Sequence, residues 1–219
     1  MTVKRKLINI LGLTGVAALL SYMAAMIFAP LAFPGYDWMA QAVSDLSADT
    51  APSRQLWDRL SAVYSACGVV CTTLASVYVS ENRIGTKKFR LGIYLFTVMN
   101  WISRVGYDMF PLADSGKEIA SFQEIMHMVI TVAVVLLSIV SLLLMIIAGI
   151  KDKCMKGTAV CAGIAFLMMM AGAMGQGIVP PDYFGIVERF SLLAAVGFGA
   201  VIGIDLFNGF GEPSSMHNA

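Results

Sequence analysis

Long apolar runs alternate with short polar interruptions along this chain, and the interruptions recur at helix-length intervals. The apolar runs cover 7–29, 56–79, 91–110, 122–149, 158–179 and 185–207. A helix needs about 20 apolar residues to cross the hydrocarbon core of a bilayer, so each run is read as a membrane span. The stops are chemical. Pro30, Pro34 and Gly35 end the first run, Phe110-Pro111 the third and Pro180-Pro181 the fifth, because proline cannot continue a helix and glycine weakens one. The first run follows Lys4, Arg5 and Lys6 as a signal peptide would, but a signal core is only about 7–15 residues, so 7–29 is read as a retained helix. The predicted fold is all-α, a single integral domain over 1–219 with six transmembrane helices. In the long first connection, Met39, Ala42, Val43 and Leu46 fall on one face of a helix over 36–47, with Gln41, Ser44 and Asp45 on other faces and Trp38 alongside. That pattern predicts a short interfacial helix, either a lid over a polar pocket or a plain amphipathic connector.

Composition agrees with this picture. The 219 residues are 58% hydrophobic and 13% charged, against about 25% charged in a soluble domain. Mean hydropathy is +0.77. A net charge of +1 gives no bulk attraction to nucleic acid. Cys67, Cys71 and Cys161 lie in apolar runs and Cys154 in a basic loop, so they read as packing residues, with no disulfide framework. Lys4, Arg5 and Lys6, then Arg83, Lys87, Lys88 and Arg90, then Lys151, Lys153 and Lys156 gather most of the basic residues on one side of the predicted bundle. The positive-inside rule then puts both termini in the cytoplasm, with a bacterial cytoplasmic membrane as the expected location. Small residues four apart, Ala173/Gly177 and Gly199/Gly203, predict close helix packing, and Met168, Met169 and Met170 read as adaptable core filler.

The candidate chemistry lies toward the outer ends of the helices. Asn100, Arg104 and Asp108 are four apart on one face of the third helix. Glu124 and His127 open the fourth, Arg59 lies near the start of the second, and Glu188 and Arg189 near the start of the sixth. Ionisable groups at membrane depth are costly and normally face a protein interior or water, so the cluster predicts an outward polar pocket. Structural alternatives stand beside it. Arg104 and Asp108 can pair within their helix, Ser121 to Glu124 fits a capping box, and Arg59 and Arg189 are near enough to helix ends to reach lipid head groups. Arg59, Arg104 and Arg189 suit a phosphate or carboxylate, with Ser44, Asp45, Asp108, Glu188 and His127 completing the predicted ligand site. One histidine with Asp108, Glu124 and Glu188 makes a poor zinc set, so no metal or other cofactor is expected. If the protein is an enzyme, His127 is the candidate acid or base, with Asp108 and Glu124 beside it. No nucleophile elbow and no phosphate-binding glycine loop occurs.

Several of these motifs carry a resemblance. Val43-Ser44-Asp45-Leu46-Ser47-Ala48 resembles an Ile-Ser-Asp/Glu-Leu-Gly-Ala element of a bacterial six-helix family known as domain of unknown function number 998. Gly106 to Pro111 with Asp114, His127 at the start of the fourth helix, and Glu188-Arg189 in the sixth are similar to it in order and spacing. Ser47 stands where the family commonly has glycine, and Glu188 where glutamine-like residues also occur. The resemblance implies a multipass bacterial membrane protein with no agreed activity. Three readings follow. The first is a protein that binds or helps move an anionic amphiphile, such as a lipid or an isoprenoid phosphate. The second is an enzyme acting on a lipid or small molecule at the outer leaflet. The third is a scaffold or regulatory subunit, as a homo-oligomer or with another membrane protein. The pattern favours binding over catalysis.

Overall fold

The computed structural model describes residues 6–113 and 121–211. Lys4, Arg5, Asp114 and the tail from 212 lie outside the described residues. The helices are α1 (Leu7–Leu11), α2 (Thr14–Phe28), α3 (Arg54–Glu81), α4 (Lys87–Met109), α5 (Phe122–Lys151), α6 (Lys156–Gly175) and α7 (Phe184–Phe207), and no strand forms among the described residues. They match the six apolar runs to within a few residues at nearly every end. The first run carries a step, because the amide of Leu13 bonds the carbonyl of Ile10 and that of Gly15 the carbonyl of Gly12, which tightens the ladder between α1 and α2. Helix α6 ends at Gly175, ahead of Pro180.

Among the described residues, five segments are long and apolar enough to cross a membrane: Leu7–Ala32, Arg54–Glu81, Phe122–Lys151, Lys153–Gly175 and Pro181–Phe207. The chain is therefore a multipass membrane protein. Helix α4 has the length, at 23 residues, but Arg104, Asp108 and a run of hydroxyl and aromatic positions make it less apolar.

Neighbours in sequence are neighbours in space, from α2 round to α7, and α7 closes back onto α2 while also touching α1 and α3. Small residues make these contacts. A methyl added at Gly12 would lie 2.4 Å from the Gly203 carbonyl, and one at Gly15 2.9 Å from that of Gly199. The Gly199/Gly203 pair thus packs against α1 and α2 of its own chain. For α6 the contact residues are Gly172, against Ser191, and Gly175, against Val187, rather than the predicted Ala173/Gly177 pair, because Gly177 lies past the helix end. Phe96 on α4 meets Phe198 on α7 edge to face at 5.3 Å, and Met145 and Met169 fill the space beside them.

The first connection departs from the expected interfacial helix. Within 36–47 the helical part is Ser44–Ser47, a single 3₁₀ turn. The Ala42 and Val43 amides, which a helix over 36–47 would bond to its own carbonyls, donate instead to Asp45 Oδ2 and Glu188 Oε2, and the Met39 carbonyl accepts from the Ile186 amide. Val43 and Leu46 are almost fully buried and plug this end of the bundle, Val43 beside Tyr22 and Val196.

Candidate functional site

The predicted site residues fall into four separate arrangements. In the first, Arg189 holds the 36–47 connection against α7. Its Nη1 donates to the carbonyls of Trp38 (2.7 Å), Gln41 (3.3 Å) and Gly185 (2.7 Å), and its Nη2 to the Tyr36 hydroxyl (2.9 Å). The guanidinium also lies 5.9 Å from the Trp38 ring centre. Tyr36 passes the interaction on by donating to the Ala42 carbonyl at 2.8 Å. Burial pushes its phenol above the ordinary range, against the opposing pull of Arg189. Glu188 Oε2 accepts the Val43 amide at 2.5 Å. A Cβ at Gly185 would be 2.3 Å from the Gln41 carbonyl, so only glycine lets the connection lie this close. Ser44, Asp45, Glu188 and Arg189 therefore lie close together, and Asp45, Glu188 and Arg189 bond backbone groups of the connection.

In the second arrangement Arg104 Nη1 and Asp108 Oδ1 form an ion pair one turn apart on α4, with side chains 41% and 53% exposed. Beside them Tyr64 on α3 lies near Ser103, Arg104 and Tyr107. In the third, His127 Nδ1 sits 2.9 Å from the Phe110 carbonyl, and its ring packs on Tyr107 at 4.9 Å. A carbonyl oxygen only accepts, so Nδ1 carries the proton and Nε2 of the neutral ring is the acceptor. A backbone carbonyl thus orients the ring in place of the expected carboxylate. Glu124 completes a capping box with Ser121 at the start of α5, and Asp108 is paired with Arg104. In the fourth, Arg59 is exposed near the outer start of α3.

The outer rim is sewn together around these groups. The Asp49 amide donates to the Leu112 carbonyl at 2.9 Å, Gln123 Nε2 to the Pro111 carbonyl at 2.7 Å, and Arg54 pairs with Asp49. An enclosed cavity deeper in the bundle, bounded by Tyr64, Gly68, Asn100, Val196 and Gly199, measures about 10 Å³. That admits one water at most, and Arg104, His127 and Arg189 do not line it.

Reasoning from charge alone passes over one feature. Tyr94, Thr97, Trp101, Arg104 and Asp108 alternate three and four apart and fall within an arc of roughly 80° on α4. This face meets α3. Trp101 Nε1 donates to Thr73 Oγ1 at 3.1 Å, and Ser76 Oγ and Thr97 Oγ1 are 2.7 Å apart. The spacing is legible in the sequence once hydroxyl and indole groups are counted with the ionised ones.

Residues 16–205 match the family model described as protein of unknown function (DUF998). No curated protein and no solved structure matches the chain.

Proposed function

Because the chain belongs to this family of unknown function, we propose from its own geometry that it binds the head group of an anionic amphiphile at the outer ends of α3 and α4. The observation that carries this reading is the difference between two arginines. Arg189 is spent on three carbonyls and a phenol, whereas among the described residues Arg104 bonds the half-exposed Asp108. A guanidinium has five N–H donors in a planar fork that matches a phosphate or carboxylate. Trp101 and Val105, both close to half exposed, flank Arg104 on the helix surface and suit the acyl chains of the same ligand. The third reading loses the feature that would have favoured it, since Gly199 and Gly203 pack within the chain.

Phosphatidylglycerol titrated into the purified full-length protein and followed by native mass spectrometry tests this. Arg104→Ala is expected to weaken binding about tenfold, the equivalent of one charge-assisted hydrogen bond. Unchanged binding in that variant would defeat the reading.

The same proposal has six crossings, both termini in the cytoplasm and a bacterial cytoplasmic membrane as the site of action, supported by the basic residues at Arg83 to Arg90 and Lys151 to Lys156. Cys154 supplies a native test, because it is exposed in the connection between α5 and α6 while Cys71 is buried. A membrane-impermeant maleimide is expected to label Cys154 only after intact cells are permeabilised. Labelling of intact cells would invert the orientation.

A second reading, an enzyme acting on such a lipid, is favoured by one observation. The Phe110 carbonyl holds His127 in the tautomer whose Nε2 can take up a proton.

A further inference from the structure

We propose that the seam between α3 and α4 is a lane along which the phosphate-bearing head group of a membrane lipid crosses between leaflets, so that the protein exchanges lipid between them without an energy source. The inference rests on the Arg104 reading for its outer entrance and extends it across the membrane.

The lane is built from two facing stripes. On α4 it runs Tyr94, Thr97, Trp101, Arg104, Asp108, and from first to last it rises roughly 21 Å, most of the approximately 30 Å of hydrocarbon. On α3, Thr73, Ser76 and Ser80 share an arc of roughly 60°. The Trp101–Thr73 and Ser76–Thr97 bonds fix the register of the two stripes. Continued outward, that register sets Val70 opposite Arg104 and the small side chain of Ala66 opposite Asp108. At the inner end the helices part into an open groove of about 380 Å³ lined by Ser76, Val77, Ser80, Glu81 and Tyr94.

The seam opens sideways to the bilayer. Trp101 and Ser80 are exposed and Thr73, Ser76, Tyr94 and Arg104 half-buried, while Thr97 is buried at the centre, where its hydroxyl also bonds the Thr72 and Ile93 carbonyls. Helices α3 and α4 pack less closely than either does with its other sequence neighbour, and α4 is the one long helix that falls short of membrane apolarity. The exposed edge of this internally bonded stripe faces hydrocarbon, so the seam suits a polar occupant. A lipid in the bilayer supplies it. Its phosphate accepts from hydroxyl, indole and guanidinium donors along the stripe, and its acyl chains stay in the surrounding hydrocarbon. The central bonds are between neutral hydroxyl and indole groups, which a phosphate oxygen can replace one at a time, and no ion pair among the described residues locks the middle of the lane.

The experiment reconstitutes the full chain into phosphatidylcholine/phosphatidylglycerol vesicles carrying a trace of fluorescent-head-group lipid and quenches it from outside with dithionite. Wild type is expected to expose the inner-leaflet fluorescence that protein-free vesicles protect. Ser76→Leu and Ser80→Leu are expected to slow that exchange about tenfold each, the equivalent of one removed hydrogen bond, while phosphatidylglycerol binding through Arg104 persists. Ser80 is exposed, so Ser80→Leu tests the lane without burdening the fold. Wild-type protein that binds phosphatidylglycerol through Arg104 yet exchanges lipid no faster than empty vesicles would overturn the lane and leave the binding reading standing. Fast exchange that both leucine variants leave untouched would also overturn it. Fast exchange sensitive to the leucines, with binding indifferent to Arg104→Ala, would support the lane and defeat the binding reading.

Discussion

Gly203→Val is expected to destabilise the protein by on the order of 3–5 kcal/mol, the largest effect among the changes considered, read as a lowered melting temperature in detergent. At this position even the first carbon of a side chain would lie 2.4 Å from the Gly12 carbonyl, with Cys71 Sγ and Gly15 Cα both at 3.1 Å. Two of these neighbours are backbone, so no rotamer change relieves the overlap, and α7 must draw away from α1 and α2. The separation would also break the bond from Asn9 Nδ2 to the Leu206 carbonyl, 2.8 Å long and buried. Close packing replaces the hydrophobic effect as the force between helices in lipid, so lost contact area there has no solvent-driven compensation. Gly197 is the internal control, because nothing lies within 4 Å of a Cβ built there. Gly197→Ala is expected to stay within about 0.5 kcal/mol of wild type. A Gly203→Val protein that melts like Gly197→Ala would show that α7 does not meet α1 in the way described.

Arg189→Ala is expected to cost about 3 kcal/mol and to release the 36–47 connection from α7. The loss is that of a charged donor shared by the carbonyls of Trp38, Gln41 and Gly185 and by the Tyr36 hydroxyl. Each such bond is worth about 1.5–3 kcal/mol in isolation, but water reaches this partly exposed rim and recovers some of the sum. Hydrogen exchange gives the diagnostic readout. The amides of Val43 and Ile186, bonded to Glu188 and to the Met39 carbonyl, should exchange faster in the variant, while amides at the α4–α5 contact keep their protection. Arg189→Lys is expected to rescue little, since one ammonium cannot reproduce the planar fork. Unaltered exchange at Val43 would mean that the plug formed by Val43 and Leu46 holds the connection without Arg189.

These two residues show how unevenly the molecule is written in its sequence. Gly203 is visible as half of a small-residue pair, but its partners, Gly12 and Gly15, lie at the other end of the chain. Glu188 and Arg189 stand out as charges near the outer end of a membrane helix, which suggests a ligand. Their actual partners are amides and carbonyls, which every residue carries and no composition reveals. The expected helix over 36–47 fails for the same reason. Its apolar period marks Val43 and Leu46, which are buried, but the Ala42 and Val43 amides went to side-chain carboxylates in place of helix carbonyls.

The sequence alone determined the six apolar runs that become helical and, at most ends, their limits to within a few residues, because a backbone in lipid must satisfy its own hydrogen bonds and does so only over unbroken apolar runs. It also determined the capping box at Ser121 and Glu124 and the Arg104–Asp108 pairing, both of which close within four residues. Only the tertiary structure decided that Arg189 serves the backbone while Arg104 stays half exposed, that a carbonyl rather than a carboxylate orients His127, and that the stripes of α3 and α4 face each other. Those outcomes depend on contacts between residues up to about 150 positions apart, and helix packing sets such contacts through the shapes of facing surfaces, which local patterns do not encode.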